Sequence, residues 1–179
     1  MLTVDPIELG NPKAHHYLLG AVGPRPICFA STIDSAGNRN LAPFSFFNVF
    51  SSNPPVAIFS PSRSGRTGKQ KDTYNNIKEV PEVVINLVNH SMVEQMSLSS
   101  SPYQSNVDEF LKSGLTPLKS ESVRPSRVKE SPIQMECDVF NVMELGEDGG
   151  AGNLIMCKIK KIHIQENVLD ANNMIDQLK

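Results

Sequence analysis

Between Pro24 and Asn53 the chain follows a pattern that leaves little choice of fold. Pro24-Arg25-Pro26 imposes an extended start, because each proline ring fixes its own φ and disfavours the helical region for the residue before it. Ile27 to Ile33 follows as a β-prone, partly alternating run, and Asp34-Ser35-Ala36-Gly37-Asn38 reads as a hairpin turn. Asn40 to Phe50 begins as the return strand. In a strand, alternate side chains face the same way, so Asn40, Ala42, Phe44 and Phe46 share one side and Leu41, Pro43, Ser45 and Phe47 the other. After Phe46 the alternation fails, which predicts a bend where Ser45, Asn48, Ser51 and Ser52 become available as donors. Hydroxyl and amide side chains interleaved with Phe suit a ligand with a flat apolar ring and a polar or anionic tail. A strand end with capping serines is the plainer reading, and at this point both stay open.

The remaining pattern is also dominated by strands. Asn53-Pro54-Pro55 is a break, and Val56 to Ser60 is a compact apolar strand expected in the middle of a sheet or barrel. Pro81 to Val88, Ile133 to Glu144 and Asn153 to Gln165 read as further strands. In the second of these, Ile133, Met135, Cys137 and Val139 should face one side and Gln134, Glu136 and Asp138 the other. Short helices are expected over Asp72–Lys78, where Asp72-Thr73 can cap, over Ser91–Leu98, and over Asp108–Lys112 up to Gly114. Residues 1–16 read as an irregular lead-in, 115–131 as a polar surface segment with room for a short strand, and the tail from Asn167 as a short helix. Hairpin-like pairs outnumber anything resembling a βαβ unit, so the expected architecture is mainly β: an antiparallel closed or split barrel with a few short covering helices. A β-sandwich is the competing arrangement.

Composition narrows the function classes. A chain of 179 residues suits one domain with a sizeable core. Its formal charge of −2 argues against a surface built to grip nucleic acid. The apolar runs are of strand length, so no membrane span is expected, and the start lacks a basic stretch followed by an apolar one. Cys28, Cys137 and Cys157 each sit in an apolar run without ligand spacing, and so read as buried reduced thiols of a cytoplasmic protein. His15 and His16 are neighbours that point apart in a strand and make a poor chelate. His90 and His163 read as filler, with His163 a minor candidate to face a ligand. Glu144, Glu147 and Asp148 read as a solvated turn. No metal site and no catalytic triad emerge from spacing.

Residues 61–73 form the second chemically suggestive stretch. Gly65 and Gly68 allow close backbone approach, Arg63, Arg66, Lys69 and Lys71 supply cations, and Thr73 supplies a hydroxyl at the start of a helix. Such a group can hold a phosphate through charge-assisted hydrogen bonds and helix N-terminal amides. It is not a Walker loop. A mobile, solvated basic loop is the plainer alternative.

Taken in order, these pieces resemble the flavin reductase-like family of FMN-binding split barrels. The likeness runs from Pro24-Arg25-Pro26-Ile27 through Ser31-Thr32, Asp34, Gly37, Asn40 to Asn48, Ser51 and Pro54-Pro55. It continues through Lys71-Asp72-Thr73, Asn76-Ile77 and the strand Glu82 to Val88, and covers about residues 15–165. No single piece is specific; the order and spacing are. The resemblance implies a single flavin reductase-like domain over residues 1–179, folded as a Greek-key-like split barrel. Because the family continues past the point where this sequence stops, a C-terminal strand and tail are expected to be missing. It implies FMN as cofactor and NAD(P)H as hydride donor. Electrons would pass to an acceptor or a partner oxygenase, and the protein would be a homodimer with FMN near the subunit interface. By that likeness Ser31 and Thr32 would meet the ring edge, Ser45, Phe46, Phe47 and Asn48 the ring and ribityl chain, and Ser51 and Ser52 the ribityl or phosphate. Lys71, Asp72 and Thr73, with Arg63 as a weaker candidate, would meet the phosphate. Two rivals stand beside this reading: an FMN electron carrier that takes no electrons from a nicotinamide, and a flavin-free barrel whose basic loop holds another phosphorylated ligand or RNA.

Overall fold

The two edge strands of the principal sheet are joined by only two residues, and that connection defines the architecture. The computed structural model describes residues 1–179. Its helices are α1 (Pro6–Leu9), α2 (Asn11–Ala21), α3 (Asp72–Glu79), α4 (Val93–Ser99) and α5 (Glu109–Ser113). Its strands are β1 (Cys28–Ile33), β2 (Arg39–Phe44), β3 (Phe47–Ser52), β4 (Pro55–Phe59), β5 (Glu82–Leu87), β6 (Pro117–Leu118), β7 (Arg127–Val128), β8 (Ile133–Glu144) and β9 (Asn153–Ile164). Seven of them form one antiparallel sheet in the order β2-β1-β5-β8-β9-β4-β3. Only Ser45 and Phe46 separate β2 from β3 at the opposite edge. Three peptide steps reach at most about 11 Å, so the sheet must curl until its edges nearly meet. No hydrogen-bond ladder joins β2 to β3, and the barrel is therefore split.

The β1–β2 hairpin pairs Cys28 with Phe44 through Ile33 with Arg39, as the turn at 34–38 requires, and Gly37 supplies the positive φ of that turn. Cys28 and Ala30 of β1 point into the barrel beside Phe59, Val83, Ile85, Ile155 and Cys157; Phe29 points the other way, into a second cluster with Leu41, Met92, Phe110, Leu115 and Val128. Both faces of β1 are thus apolar, because α4, α5 and the segment behind them cover the outside. Each large side chain buried this way contributes about 1.5–3 kcal/mol. Phe44 and Phe47, on either side of the split, pack on the barrel core, and the Phe44 and Phe59 rings lie 5.6 Å apart. Helix α3 plugs one mouth of the barrel with Thr73, Tyr74 and Ile77. Cys28, Cys137 and Cys157 are buried free thiols in the same core.

Four expectations need correction. Residues 1–16 are not irregular: α1 and most of α2 lie there, begun by the Asp5 cap with Pro6 in the first turn and by Pro12 early in α2. Chain that was expected to bend after Phe46 instead resumes as β3; the irregular residues are Ser45 and Phe46, which cross between the sheet edges. On β8, Gln134 and Glu136 are buried as fully as their apolar neighbours, because the β6–β7 excursion folds over them. The Glu136 carboxylate accepts from the amides of Glu121 and Ser122, the Ser122 hydroxyl and His163. Finally, the tail from Asn167 carries only a single helical turn at Glu166–Val168.

Candidate functional site

The cleft that matters opens where the β2–β3 crossing, the basic loop and α3 converge. Its volume is about 690 Å³, within the range of small-molecule and cofactor sites. One wall runs from Asn40 through Ala42 to Phe46, and the facing wall from Ser62 to Arg66 and Gln70 to Thr73. Ser99 to Tyr103, from the last residue of α4 onward, and Glu109 of α5 close one side; His15 and Leu19 of α2 close another.

The basic loop is built, not slack. Arg63 and Ala151 share a backbone bond of 2.8 Å, Ser64 and Lys69 one of 2.9 Å, and Gly68 donates to the Ser64 carbonyl at 2.8 Å. Gln70 exchanges side-chain amide bonds with Asn153, which also donates to the Pro61 carbonyl at 2.8 Å. Arg63 is committed within the protein. It pairs with Glu144 at 2.7 Å, whose other oxygen accepts from the Tyr74 hydroxyl at 2.5 Å. The Tyr74 and Arg63 bonds hold the Glu144 carboxyl below its usual range; the residue ends β8, is exposed as expected, and also serves as the structural partner of the loop. Arg66, Lys69 and Lys71 make no ion pair.

Lys71 is the residue that precedes the first turn of α3, and no side chain caps that helix. The expected capping role of Asp72 is not seen: it is the first helical residue, and its carboxylate accepts from the Ser105 hydroxyl at 3.0 Å. The first amides of a helix have no intrahelical acceptor, and the aligned peptides add partial positive charge there. This uncapped end opens on the cleft. Thr73 is buried, yet it is among the residues lining the cleft, and its hydroxyl accepts from Asn40 at 2.9 Å, leaving its own proton for an acceptor oxygen.

Of the residues singled out from the sequence, Ser45, Phe46, Arg63, Lys71, Asp72 and Thr73 line this cleft together. Phe47 and Asn48 line a smaller, mostly apolar cavity of about 300 Å³ that shares Ser45 and Phe46 with it. Ser31 and Thr32 line neither. Both are fully buried in β1; Thr32 accepts from Asn40 and Asn76 beneath the cleft, and the Ser31 hydroxyl has no partner. Ser51 and Ser52 sit at the far end of β3, paired with Val56 and Pro55.

Sequence reasoning missed His15, Leu19, Gln70, Tyr103 and Glu109. The first two belong to α2, whose start signal, Pro12 early in the helix, was present. The others are brought to the cleft by chain segments remote in sequence, and no local pattern marks them. Burial pushes the Glu109 carboxyl up, against the hydrogen bond it accepts from the Leu41 amide at 3.1 Å. His163 faces away from the cleft, onto Glu136 at 2.8 Å.

A curled antiparallel sheet, split between β2 and β3 and opening onto a polar cleft at a helix start, defines a split-barrel protein. Residues 21–178 match the family described as "Flavin reductase like domain", and the chain belongs to that family. It is 36% identical to an Aquifex aeolicus protein over 92% of this chain and 82% of that one. It is 32% identical to the YwrF protein of Bacillus subtilis over 96% and 85%. The solved nitrilotriacetate monooxygenase component B from Bacillus cereus superposes with a TM-score of 0.91 at 31% identity, covering 98% of this chain and 87% of that one. Pseudomonas fluorescens 2-nitrobenzoate 2-nitroreductase NbaA shares the fold, with a TM-score of 0.85 at 24% identity over 98% and 83%.

Proposed function

We propose that the cleft holds FMN and that the protein is an NAD(P)H-dependent flavin oxidoreductase. The observation that carries this reading is the uncapped start of α3, with Thr73 and unpaired Lys71 and Arg66 at one end of a cleft whose other end is the Ser45–Phe46 wall. A phosphate suits the first end. Its oxygens would accept from the free amides of the first turn, from Thr73 and from Lys71, with Arg66 adding charge. Arg63 serves mainly to hold the loop through Glu144. The Phe46 ring and the neighbouring polar atoms suit the flat ring and ribityl chain, with Phe47 and Asn48 reached through the adjoining apolar cavity. Bound FMN supplies two-electron hydride chemistry at its ring. The protein's own task is to bind, orient and limit water, which needs no catalytic triad.

Electrons then go to an acceptor. The likeness to a protein named as a monooxygenase component supports a partner oxygenase as that acceptor. We further propose a cytoplasmic homodimer; no helix is long and apolar enough to cross a membrane. β3 is an edge strand carrying exposed Val49 and Phe50, and the distal part of β8 and its following turn expose Phe140, Met143 and Leu145. Apolar surface and an open strand edge favour pairing with a second chain.

The deciding measurement is the visible spectrum of the purified protein with FMN, followed by stopped-flow mixing with NADH and with NADPH. Rapid bleaching of the flavin band is expected with at least one of them. A protein that binds FMN but stays yellow under both is an electron carrier, and one with no flavin absorbance after FMN addition refutes the assignment entirely.

A further inference from the structure

The family match begins at residue 21, yet two side chains that line the cleft, His15 and Leu19, lie before it on α2. α2 contributes no buried residue to the core. It is moored at its two ends to different walls of the site. At its start, the Asn11 side chain donates to the Gly149 carbonyl at 2.7 Å. Gly149 lies against the basic loop so closely that a Cβ there would stand 3.0 Å from the Ser64 carbonyl and 3.2 Å from Gly65. At its end, Arg25 donates to the Leu19 carbonyl at 2.6 Å and to that of Val22, and reaches the Ser45 hydroxyl at 3.4 Å. A guanidinium on the last carbonyls of a helix both satisfies them and suits the negative end of its dipole. Between these moorings, the His15 ring stands edge-on to Phe46 at 6.2 Å between centroids, and His16 is absent from the cleft lining.

We propose that α2 is a strap across the flavin cleft and that His15 is a flavin-contacting residue, so that the strap sets how tightly and how long the cofactor is held. This rests on the FMN reading above. The physical basis is that a helix with no buried residue and few mooring bonds can leave the barrel at little cost. When seated it adds an imidazole beside the aromatic ring that forms the wall. A ring-to-ring contact of this kind is worth roughly five- to tenfold in affinity.

The test uses the full-length chain, titrated with FMN by fluorescence quenching, with release rates from dilution into an excess of an apoprotein that binds FMN tightly. His15→Ala should raise Kd for FMN about fivefold, His15→Phe should restore most of that loss, and His16→Ala should leave Kd unchanged. Asn11→Ala, which frees one end of the strap without touching the ligand, should speed release. Circular dichroism melts of each variant report whether the barrel is intact. If wild type binds FMN and His15→Ala and Asn11→Ala match it in Kd and release rate, the strap is overturned while the FMN reading stands. If wild type binds no FMN, both are overturned.

Discussion

The Asn40 side-chain amide donates to the Thr73 hydroxyl at 2.9 Å, and thereby ties the edge strand β2 to the first turn of α3. The same nitrogen reaches Thr32 at 3.4 Å, and Asn76 donates to Thr32 at 3.2 Å. Four polar side chains thus form one network between the barrel mouth and the proposed phosphate end. Asn40→Ala should lower stability by about 1–3 kcal/mol, the cost of leaving buried hydroxyls short of partners. It should also weaken FMN binding, because Thr73 loses the bond that orients it. Urea unfolding and a flavin titration on the same preparation check both.

Removing Lys71 and Thr73 together, as Lys71→Ala with Thr73→Ala, should weaken FMN binding by about 2–4 kcal/mol through lost charge-assisted bonds. Riboflavin, which lacks the phosphate, should bind the double variant and wild type alike. Equal FMN affinity for the two proteins in a titration places the phosphate elsewhere.

Ser31 offers a sharper contrast. Its hydroxyl is buried without a partner, so Ser31→Ala should be neutral or stabilising by up to about 1 kcal/mol, with FMN affinity unchanged. A loss of affinity would instead restore the ring-edge contact that the family resemblance implies for this residue.

Acid should loosen the 115–131 segment by a defined route. Burial by itself would raise the Glu136 pKa, but the Ser122 hydroxyl, the Glu121 and Ser122 amides and His163 outweigh it and hold the carboxyl at about 2. A carboxyl whose folded pKa lies below its unfolded value stabilises the fold above the unfolded value. That contribution is lost as pH falls through the folded value. Between about pH 5 and pH 2 the protein should therefore lose on the order of 2–3 kcal/mol through this group. Glu136→Gln should be less stable than wild type at pH 7, and the gap should close towards pH 2 in denaturant midpoints.

The thiols should be silent in the native state. Burial pushes Cys28 and Cys157 far up and Cys137 up to about 12, so none carries appreciable thiolate at neutral pH. A thiol-reactive disulfide reagent should find no reactive group until the protein is unfolded, and then all three.

Alternation and turn chemistry are local, and where they decided structure the sequence was legible. The β1–β2 hairpin with its turn at 34–38, the strands at 55–59, 82–87, 133–144 and 153–164, and the stop at Gly114 all follow from residues within a few positions of one another. The resemblance likewise pointed to a split barrel and to the loop ending at Thr73. Glu136 shows where this kind of reading stops. Its place in the alternation assigned it to the polar side of β8, and only the chain folding back from 121 and 122 turned that side into an interior. Arg63 looked like a free cation until Glu144, far along the chain, paired with it.

By itself, then, the sequence determined the strand-rich class, the hairpins and the two chemically distinct stretches at 40–52 and 61–73. Tertiary structure decided that Ser45 and Phe46 bridge the two edges of the curled sheet, which sets the first part of one stretch, residues 40–46, across one cleft from residues 62–73 of the other. It also decided that Ser31, Thr32, Ser51 and Ser52 stay out of that cleft and that a helix before the family domain enters it. Strand pairing between distant segments and the closure of a barrel are collective: which residues meet depends on the curl of the whole sheet, and no short window of sequence carries that information.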